Sequence, residues 1–380
     1  MDISRDDGIP ARPRIGIVGS GGAFGRWLTR FFAERMHLET LGSDPADASS
    51  APPGQLLERC DVLVFSTPIR ATPAIIRDYI ARAAGSERGK LWLDLTSIKK
   101  PAIEAMLQSQ AEVVGLHPMT APPKAPTLKG RVLVVCTARL QRWTPFVERL
   151  CEALEGEQVH ATPERHDRIM ALVQAMVHAT HLTQAAVLRE VADELGGLEA
   201  LLPFRSASFE LDAAILSRIL GMNPSIYEDI QFGNPHAAPV LERFARHAAQ
   251  LASTVAQGDE AARDEFRERY LAQSKNAIGE EAIAAGNYTF ERVGYLLADL
   301  AGERSLSVHL PEDKPGSLRA LLNLFELHGI SIASIHSSRT PAGEVHFRMG
   351  FGAEVPGDAL DAAARAIDAS GVGRVLERSR

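Results

Sequence analysis

Four glycines, Gly19, Gly21, Gly22 and Gly25, follow the short apolar run Arg14-Ile-Gly-Ile-Val and lead into a stretch of helical spacing at 26–36. The pattern G-x-G-G-x-x-G is one residue longer than the usual strand-turn-helix fingerprint of a dinucleotide site. Glycine is needed there because the backbone must turn sharply and approach a pyrophosphate, whose charge is met by free N–H groups and the helix dipole. Gly19, Ser20, Gly21, Gly22, Ala23, Phe24 and Gly25 are therefore candidate cofactor contacts. Asp44, at the end of the second predicted strand, would accept from ribose hydroxyls and repel a 2′-phosphate, which favours NAD over NADP. Thr67 and Pro68, which stop a third apolar run at 61–66, are assigned to the same cofactor edge.

A second group lies further along. Gly115-Leu-His117-Pro-Met119 closes a predicted strand at 112–116, the end of an open α/β sheet where ligands bind. A histidine placed there can take a proton from a hydroxyl while hydride leaves the same carbon, a contribution of roughly 10²–10⁴-fold. The alternative is a loop histidine bonded to backbone. Asp94-Leu-Thr-Ser97-Ile-Lys99 ends the preceding strand in the same way. The Ser97 hydroxyl either reaches His117 or the cofactor amide, or caps a helix before Ile98.

Beyond residue 164 a polar stripe crosses an apolar helix. At about 100° per residue, Gln174, His178 and His181 fall within about 40° of the direction of Asp167. Lys and Glu are absent from 169–188, so the stripe indicates either a polar pocket or interface, or satisfied core histidines. Arg218 stands among Ile215, Leu216, Ile219 and Leu220, with Tyr227 after the Asn223-Pro224 break. A guanidinium in that setting either holds a carboxylate or is a surface or interface charge.

These groups need a scaffold, and 380 residues suffice for two or three domains. Strand-like runs at 14–19, 38–41, 61–66, 90–95, 112–116 and 131–136 alternate with helical stretches such as 73–84 and 100–108, which predicts a parallel sheet with helices on both faces. From 164 to about 301 the strand signal vanishes, and helices broken at Gly196-Gly197, 221–224, 233–235 and Gly286-Asn287 take over; 169–188 reads as a buried helix. Past 302 a β-α-β-β-α-β order predicts helices on a small antiparallel sheet. The expected division is a flexible tail at 1–12, a Rossmann-type domain at 13–163, an all-α domain at 164–301 and an α+β domain at 302–380.

Composition narrows the function. Lys+Arg 41 against Asp+Glu 48 gives a net charge of -7, a poor fit to nucleic acid. The acidic start and Pro10 and Pro13 show no export signal, and no membrane span is expected. Cys60, Cys136 and Cys151 suggest neither a disulfide framework nor a zinc site, and no other metal motif is visible, so a cytoplasmic, metal-free protein is expected.

Taken in order, G-x-G-G-x-x-G, Asp94-x-x-Ser97-x-Lys99, Gly-Leu-His117-Pro-Met, His166-Asp167 with His178 eleven positions after the Asp, and Arg218 with Tyr227 nine positions later resemble the prephenate dehydrogenase family over about residues 14–300. That family also includes arogenate and cyclohexadienyl dehydrogenases. The resemblance implies NAD-dependent oxidative decarboxylation of prephenate to 4-hydroxyphenylpyruvate. His117 is then the catalytic histidine at the ring hydroxyl, and Ser97 its orienting partner and nicotinamide contact. His178 and Arg218 match positions in the substrate pocket, with Arg218 on a carboxylate; Gln174 and Tyr227 join them. The helical domain would form a homodimer. Thr120-Ala-Pro-Pro-Lys124 departs from the family's usual continuation; it offers no acid for an amino group, and Lys124 suits a carboxylate, which favours prephenate over arogenate or 4-amino-4-deoxyprephenate. A rival of another class is a cofactor-binding sensor without catalysis. Asp313-Lys-Pro-Gly-Ser-Leu318 and His328-Gly-Ile-Ser-Ile332 resemble an ACT domain, which implies tyrosine or phenylalanine binding near Pro315, Gly316, Ser317 and Leu318, or a dimerisation module that has lost its ligand.

Overall fold

The computed structural model describes residues 9–123, 125–301, 304–310, 314–339 and 345–379. It separates into two compact units, Met1–Gln250 and Leu251–Arg380. In the first, strands β1 (Ile15–Val18), β2 (Thr40–Ser43), β3 (Val62–Phe65), β4 (Leu91–Asp94), β5 (Glu112–Pro118), β6 (Val132–Arg139) and β7 (Glu157–His160) form one sheet in the order β2-β1-β3-β4-β5-β6-β7. Helices α1 (Ala23–Arg35), α2 (Pro53–Arg59), α3 (Thr72–Ala83), α4 (Lys100–Met106) and α5 (Thr144–Leu154) connect them.

Period-two alternation sends the strand side chains to two cores. Ile15, Ile17, Val62, Val64, Leu91 and Leu93 meet Trp27, Phe31 and Phe32 of α1 and Phe146 and Leu150 of α5. Leu63, Phe65, Trp92 and Val113 meet Leu56, Ile76, Tyr79 and Ile103 of α2, α3 and α4 on the other face.

Three expectations change. The sheet is not wholly parallel, because β5 and β6 run antiparallel. The described residues of the 119–131 connection form no helix, and the segment carries Pro122, Pro123 and Pro126, so the chain doubles back instead of crossing over. β5 also runs on to Pro118, which places His117 inside the strand and not in a loop beyond it. β7 is an additional strand; its four exposed residues give it no apolar signal in the sequence.

The remaining elements of the first unit are helical: α6 (Pro163–Met170), a π-helical segment (Ala171–Met176), α7 (Val177–Glu190), the one-turn α8 (Ala192–Leu195) and α9 (Leu198–Leu201), a short 3₁₀ turn, α10 (Ala207–Gly221), α11 (Pro224–Gly233) and α12 (Ala237–Gln257), which continues past residue 250. Contrary to the expected buried helix at 169–188, Ile169, Leu172, Val173, Val177, Leu182 and Val187 are exposed in the single chain. Their side chains form apolar surface on α6, the π segment and α7 that the rest of the described chain does not cover.

The second unit opens with α13 (Glu260–Glu265), a second π segment (Phe266–Ala272), α14 (Gln273–Ile278) and α15 (Glu280–Ala301). The break expected at Gly286-Asn287 is absent, since α15 runs through it. The chain breaks instead at Gly279, whose φ of 90° ends α14 in a conformation that glycine adopts without strain. The last elements, β8 (Ser305–Leu310), α16 (Ser317–Leu327), β9 (Ser334–Arg339), β10 (Val345–Gly350), α17 (Gly357–Ser370) and β11 (Arg374–Ser379), give the expected β-α-β-β-α-β order in an antiparallel sheet β11-β8-β10-β9. Val308, Leu310, Phe347 and Met349 pack on Leu321, Phe325, Leu360 and Ile367 of the two helices. No helix among the described residues is long and apolar enough to cross a membrane.

Candidate active site

The glycine turn has the shape of a phosphate cradle. Gly19 sits at φ 85°, and a Cβ there would press into the Ser66 carbonyl; at Gly25 it would lie 2.7 Å from the Ser20 Cα. Side chains at either position would collide with the backbone of the turn or of the chain after β3, so both glycines permit the tight strand-turn-helix packing that such a cradle requires. Gly22 N-caps α1, and Ala23 and Phe24 begin it. Asp44 follows β2 directly, and its carboxylate accepts from the Gly21 N–H at 2.9 Å, so the acid lies beside the turn. The Arg26 guanidinium donates to the Gly21 carbonyl from the opposite side of the loop. At the edge of β3, the Thr67 and Thr72 hydroxyls are 2.6 Å apart, and the Pro68 carbonyl accepts from Thr72 and begins the turn into α3. These residues fit a dinucleotide.

His117 stands near the C-terminal end of β5, and five buried side chains hold its surroundings in place. The Lys99 ammonium donates to Asp94 Oδ2 at 2.5 Å and to the Leu116 carbonyl at 2.8 Å, tying the C-terminal ends of β4 and β5 together with both charged groups wholly buried. Asp167 of α6 accepts from the backbone N–H groups of Lys99 and Lys100 at 2.8 and 2.9 Å, and so caps α4 from a different segment. His166 Nδ1 lies 2.7 Å from Asp167 Oδ1, and His166 Nε2 lies 2.8 Å from His117 Nδ1. Asn234, after α11, donates to the Asp167 carbonyl and fixes α6 from the other side. Burial pushes the His117 imidazole well below its usual range, and the neighbouring His166 and Lys99 push the same way.

The polar stripe is arranged differently from a straight helix. The π segment adds a residue to its turn, so the helix beyond it is rotated by about 100° relative to regular α spacing. Gln174 within it comes to 3.5 Å from His117 Nε2. His178 packs edge-on against Tyr227, ring centres 4.8 Å apart, and burial lowers its pKa. His181 leaves the stripe, bonding the Val177 carbonyl and lying 3.5 Å from Asp212. The Ala175 carbonyl, also in the π segment, accepts from Gln231 of α11 at 2.8 Å. Gln174 Oε1, Gln231 Oε1 and His178 Nδ1 are buried without a hydrogen-bond partner among the described residues, as expected of a pocket completed by a polar ligand. Arg218 is exposed on α10; burial pushes the Tyr227 phenol up, and the Arg218 charge offsets part of that rise.

The structure thus brings His117 and Gln174 together, and separately His178, Tyr227 and Arg218, with Gln174 and His178 four residues apart on one helical run. It does not bring Ser97 to His117, whose ring nitrogens face His166 and Gln174. Nor is Ser97 a helix cap; α4 starts at Lys100 and Asp167 does the capping. Lys124 and Asp313 lie outside the described residues. Pro315 and Gly316, the latter at φ 99°, form the turn into α16, and Ser317 and Leu318 are its first residues. Residue-by-residue reading of the sequence assigns no part in the site to His166, Lys99, Asp94, Gln231 or Asn234. The local signals are His166-Asp167, two polar residues side by side in a segment that must pack, and the five-residue spacing of Asp94 and Lys99.

Comparison with known proteins agrees with this architecture. A family model described as "Prephenate dehydrogenase, dimerization domain" matches residues 162–272, and one described as "ACT domain" matches 304–367. The chain is 30% identical over 290 residues to a "4-amino-4-deoxyprephenate dehydrogenase" of Streptomyces pristinaespiralis, covering 70% of this chain and 92% of that protein. It is 26% identical over 306 residues to a Methanocaldococcus jannaschii protein named "Probable arogenate/prephenate dehydrogenase", covering 75% of this chain but 66% of the relative's own length. The fold is shared with the crystal structure of prephenate dehydrogenase from A. aeolicus in complex with hydroxyphenyl propionate and NAD+, at a TM-score of 0.55 and 17% identity over 70% of this chain and 98% of that one.

Proposed function

The chain belongs to the prephenate dehydrogenase family, and from that premise we propose that it oxidises and decarboxylates prephenate to 4-hydroxyphenylpyruvate with NAD as acceptor. The observation that carries this reading is His117, a buried imidazole at the end of β5 with one nitrogen held by His166 and the other turned towards Gln174. A nicotinamide dinucleotide bound at the glycine turn would supply the hydride acceptor. His117 Nε2 takes the ring hydroxyl proton as the C4 hydride departs, and the resulting dienone is para to a quaternary carboxylate. Loss of carbon dioxide then yields an aromatic ring, with the conjugated ketone as electron sink. Arg218 holds a substrate carboxylate, His178 and Tyr227 wall the pocket, and Gln174 offers Oε1 to the hydroxyl. Ser97 would contact the amide of a bound nicotinamide.

Two features support the finer choices. The carboxylates of Asp94 and Asp167, behind His117, are already engaged by Lys99, His166 and backbone N–H groups, which leaves neither for an amino group at C4 and favours prephenate over 4-amino-4-deoxyprephenate. Asp44 beside the turn favours NAD; Asp44→Ser should narrow the preference for NAD over NADP in kcat/KM by roughly tenfold, about 1.4 kcal/mol, and an unchanged ratio would remove Asp44 from cofactor choice. The name of the Streptomyces relative motivates a second reading, 4-amino-4-deoxyprephenate, in which the same base faces an amine. Initial rates with prephenate, arogenate and 4-amino-4-deoxyprephenate, each with NAD and with NADP, test all of this. The expected result is highest kcat/KM for prephenate with NAD; cofactor binding without turnover of any of the three would instead mark a sensor.

The exposed apolar residues of α6, the π segment and α7 are read as one half of a homodimer interface, in keeping with the family description over 162–272. The 304–367 region is read as an amino-acid effector module for tyrosine or phenylalanine, contacted at Pro315–Leu318.

A further inference from the structure

We propose that His166, anchored by Asp167, is a positioning residue that fixes the tautomer of His117 and receives the Nδ1 proton of His117 as His117 Nε2 takes the proton of the substrate hydroxyl. This rests on the reading of His117 as the base.

The order of donors and acceptors follows from Asp167. Its carboxylate already accepts two backbone N–H groups, at 2.8 and 2.9 Å, and can only accept from His166 as well. His166 Nδ1 therefore carries a hydrogen, which leaves Nε2 a lone pair in the neutral ring. That lone pair sits 2.8 Å from His117 Nδ1, so His117 carries its hydrogen on Nδ1 and presents a bare Nε2. Nε2 is the nitrogen that faces Gln174. His117, His166 and Asp167 are 3%, 1% and 1% exposed, so bulk water does not compete for these bonds.

The charges around the two rings differ. His117 faces His166 and the Lys99 ammonium, with no carboxylate against it among the described residues, and burial already disfavours its charged form. His166 faces the same Lys99 but also Asp167 and, further off, Asp94, both of which favour a positive ring. A proton on the pair is better held on His166. When the substrate O–H breaks, its electron pair becomes the second C–O bond and the C4 hydride leaves for the nicotinamide. The proton joins His117 Nε2, the Nδ1 proton of His117 passes to His166 Nε2, and the new imidazolium ends beside the Asp167 carboxylate. Loss of carbon dioxide leaves its electron pair on the ring oxygen, and the proton returns along the same path, from His166 Nε2 to His117 Nδ1 and from His117 Nε2 to that oxygen, so that the phenol forms and both rings end neutral in their starting tautomers.

Two measurements test this. Ring-¹⁵N histidine labelling of the wild-type protein, with His117 assigned by the loss of its signals in H117N, reads the tautomers directly and needs no turnover. The expected result is Nδ1–H on both His117 and His166; an Nε2–H tautomer at His117 would overturn the proposal. In H166Q a glutamine oxygen can still accept from His117 Nδ1 but cannot take the proton onward. Relative to the wild type assayed alongside, kcat should fall roughly 10–100-fold with prephenate KM within about threefold, and the acid limb of kcat/KM should move down by about one pH unit. A fall in kcat with the limb unmoved would reduce His166 to a structural role, and wild-type kcat would refute the relay. If wild type itself turns over no prephenate-type substrate, the catalytic reading fails, while the tautomer result still decides how His166 sets His117.

Discussion

H117N is expected to lower kcat with prephenate by roughly 10²–10⁴-fold, while the Kd for NAD stays within about threefold of wild type and the melting temperature changes little. Asparagine can still donate and accept hydrogen bonds near Gln174 and His166, but it cannot take a proton. The loss should therefore appear in kcat and in kcat/KM alike, as for a group acting only in the transition state. Steady-state kinetics and a fluorescence titration of NAD check this. A variant that turns over at the wild-type rate would remove His117 from the chemistry.

The second large effect concerns stability. Lys99 and Asp94 are both 0% exposed, and their ion pair links the ends of β4 and β5 beneath the site. Lys99→Met removes the ammonium and strands a buried carboxylate, a loss of about 3–5 kcal/mol. For a unit of this size that corresponds to a drop in Tm of roughly 10 °C. Lys99→Met combined with Asp94→Leu should recover most of the loss, because no unpaired charge then remains. Thermal unfolding followed by circular dichroism reads both; a single variant as stable as wild type would show that Asp94 is satisfied without Lys99.

Much of the scaffold is legible in the sequence because its signals are local. Ile15, Ile17, Val62 and Val64 are β-branched or apolar at alternate positions, and the glycines at 19 and 25 stand where backbone approach excludes a side chain. The same holds for the last four strands and two helices, whose turns and alternation suffice to order them. The features that escape a sequence reading depend on distance in the chain. The partner of Lys99 is five residues away and within reach of such a reading, but its link to Leu116 and the capping of α4 by Asp167, some 67 residues on, are not. The antiparallel turn from β5 to β6 rests on the absence of a helix at 119–131, a weak signal in a run rich in proline. The π segment matters most. Regular α spacing over 167–181 puts Asp167, Gln174, His178 and His181 on one face, whereas the inserted residue sends Gln174 to His117, His178 to Tyr227 and His181 elsewhere. Nothing in Ala-Leu-Val-Gln-Ala-Met announces that insertion; tertiary packing against α11 supplies the Gln231 donor for its displaced carbonyl.

The measurement closest to the central claim is product stoichiometry with prephenate and NAD as the only reactants, NADH followed optically and carbon dioxide trapped from the same reaction. One carbon dioxide and one 4-hydroxyphenylpyruvate per NADH, all three lost together in H117N, is the result this account predicts. NADH formed without carbon dioxide, or NAD bound with no NADH formed, would contradict it.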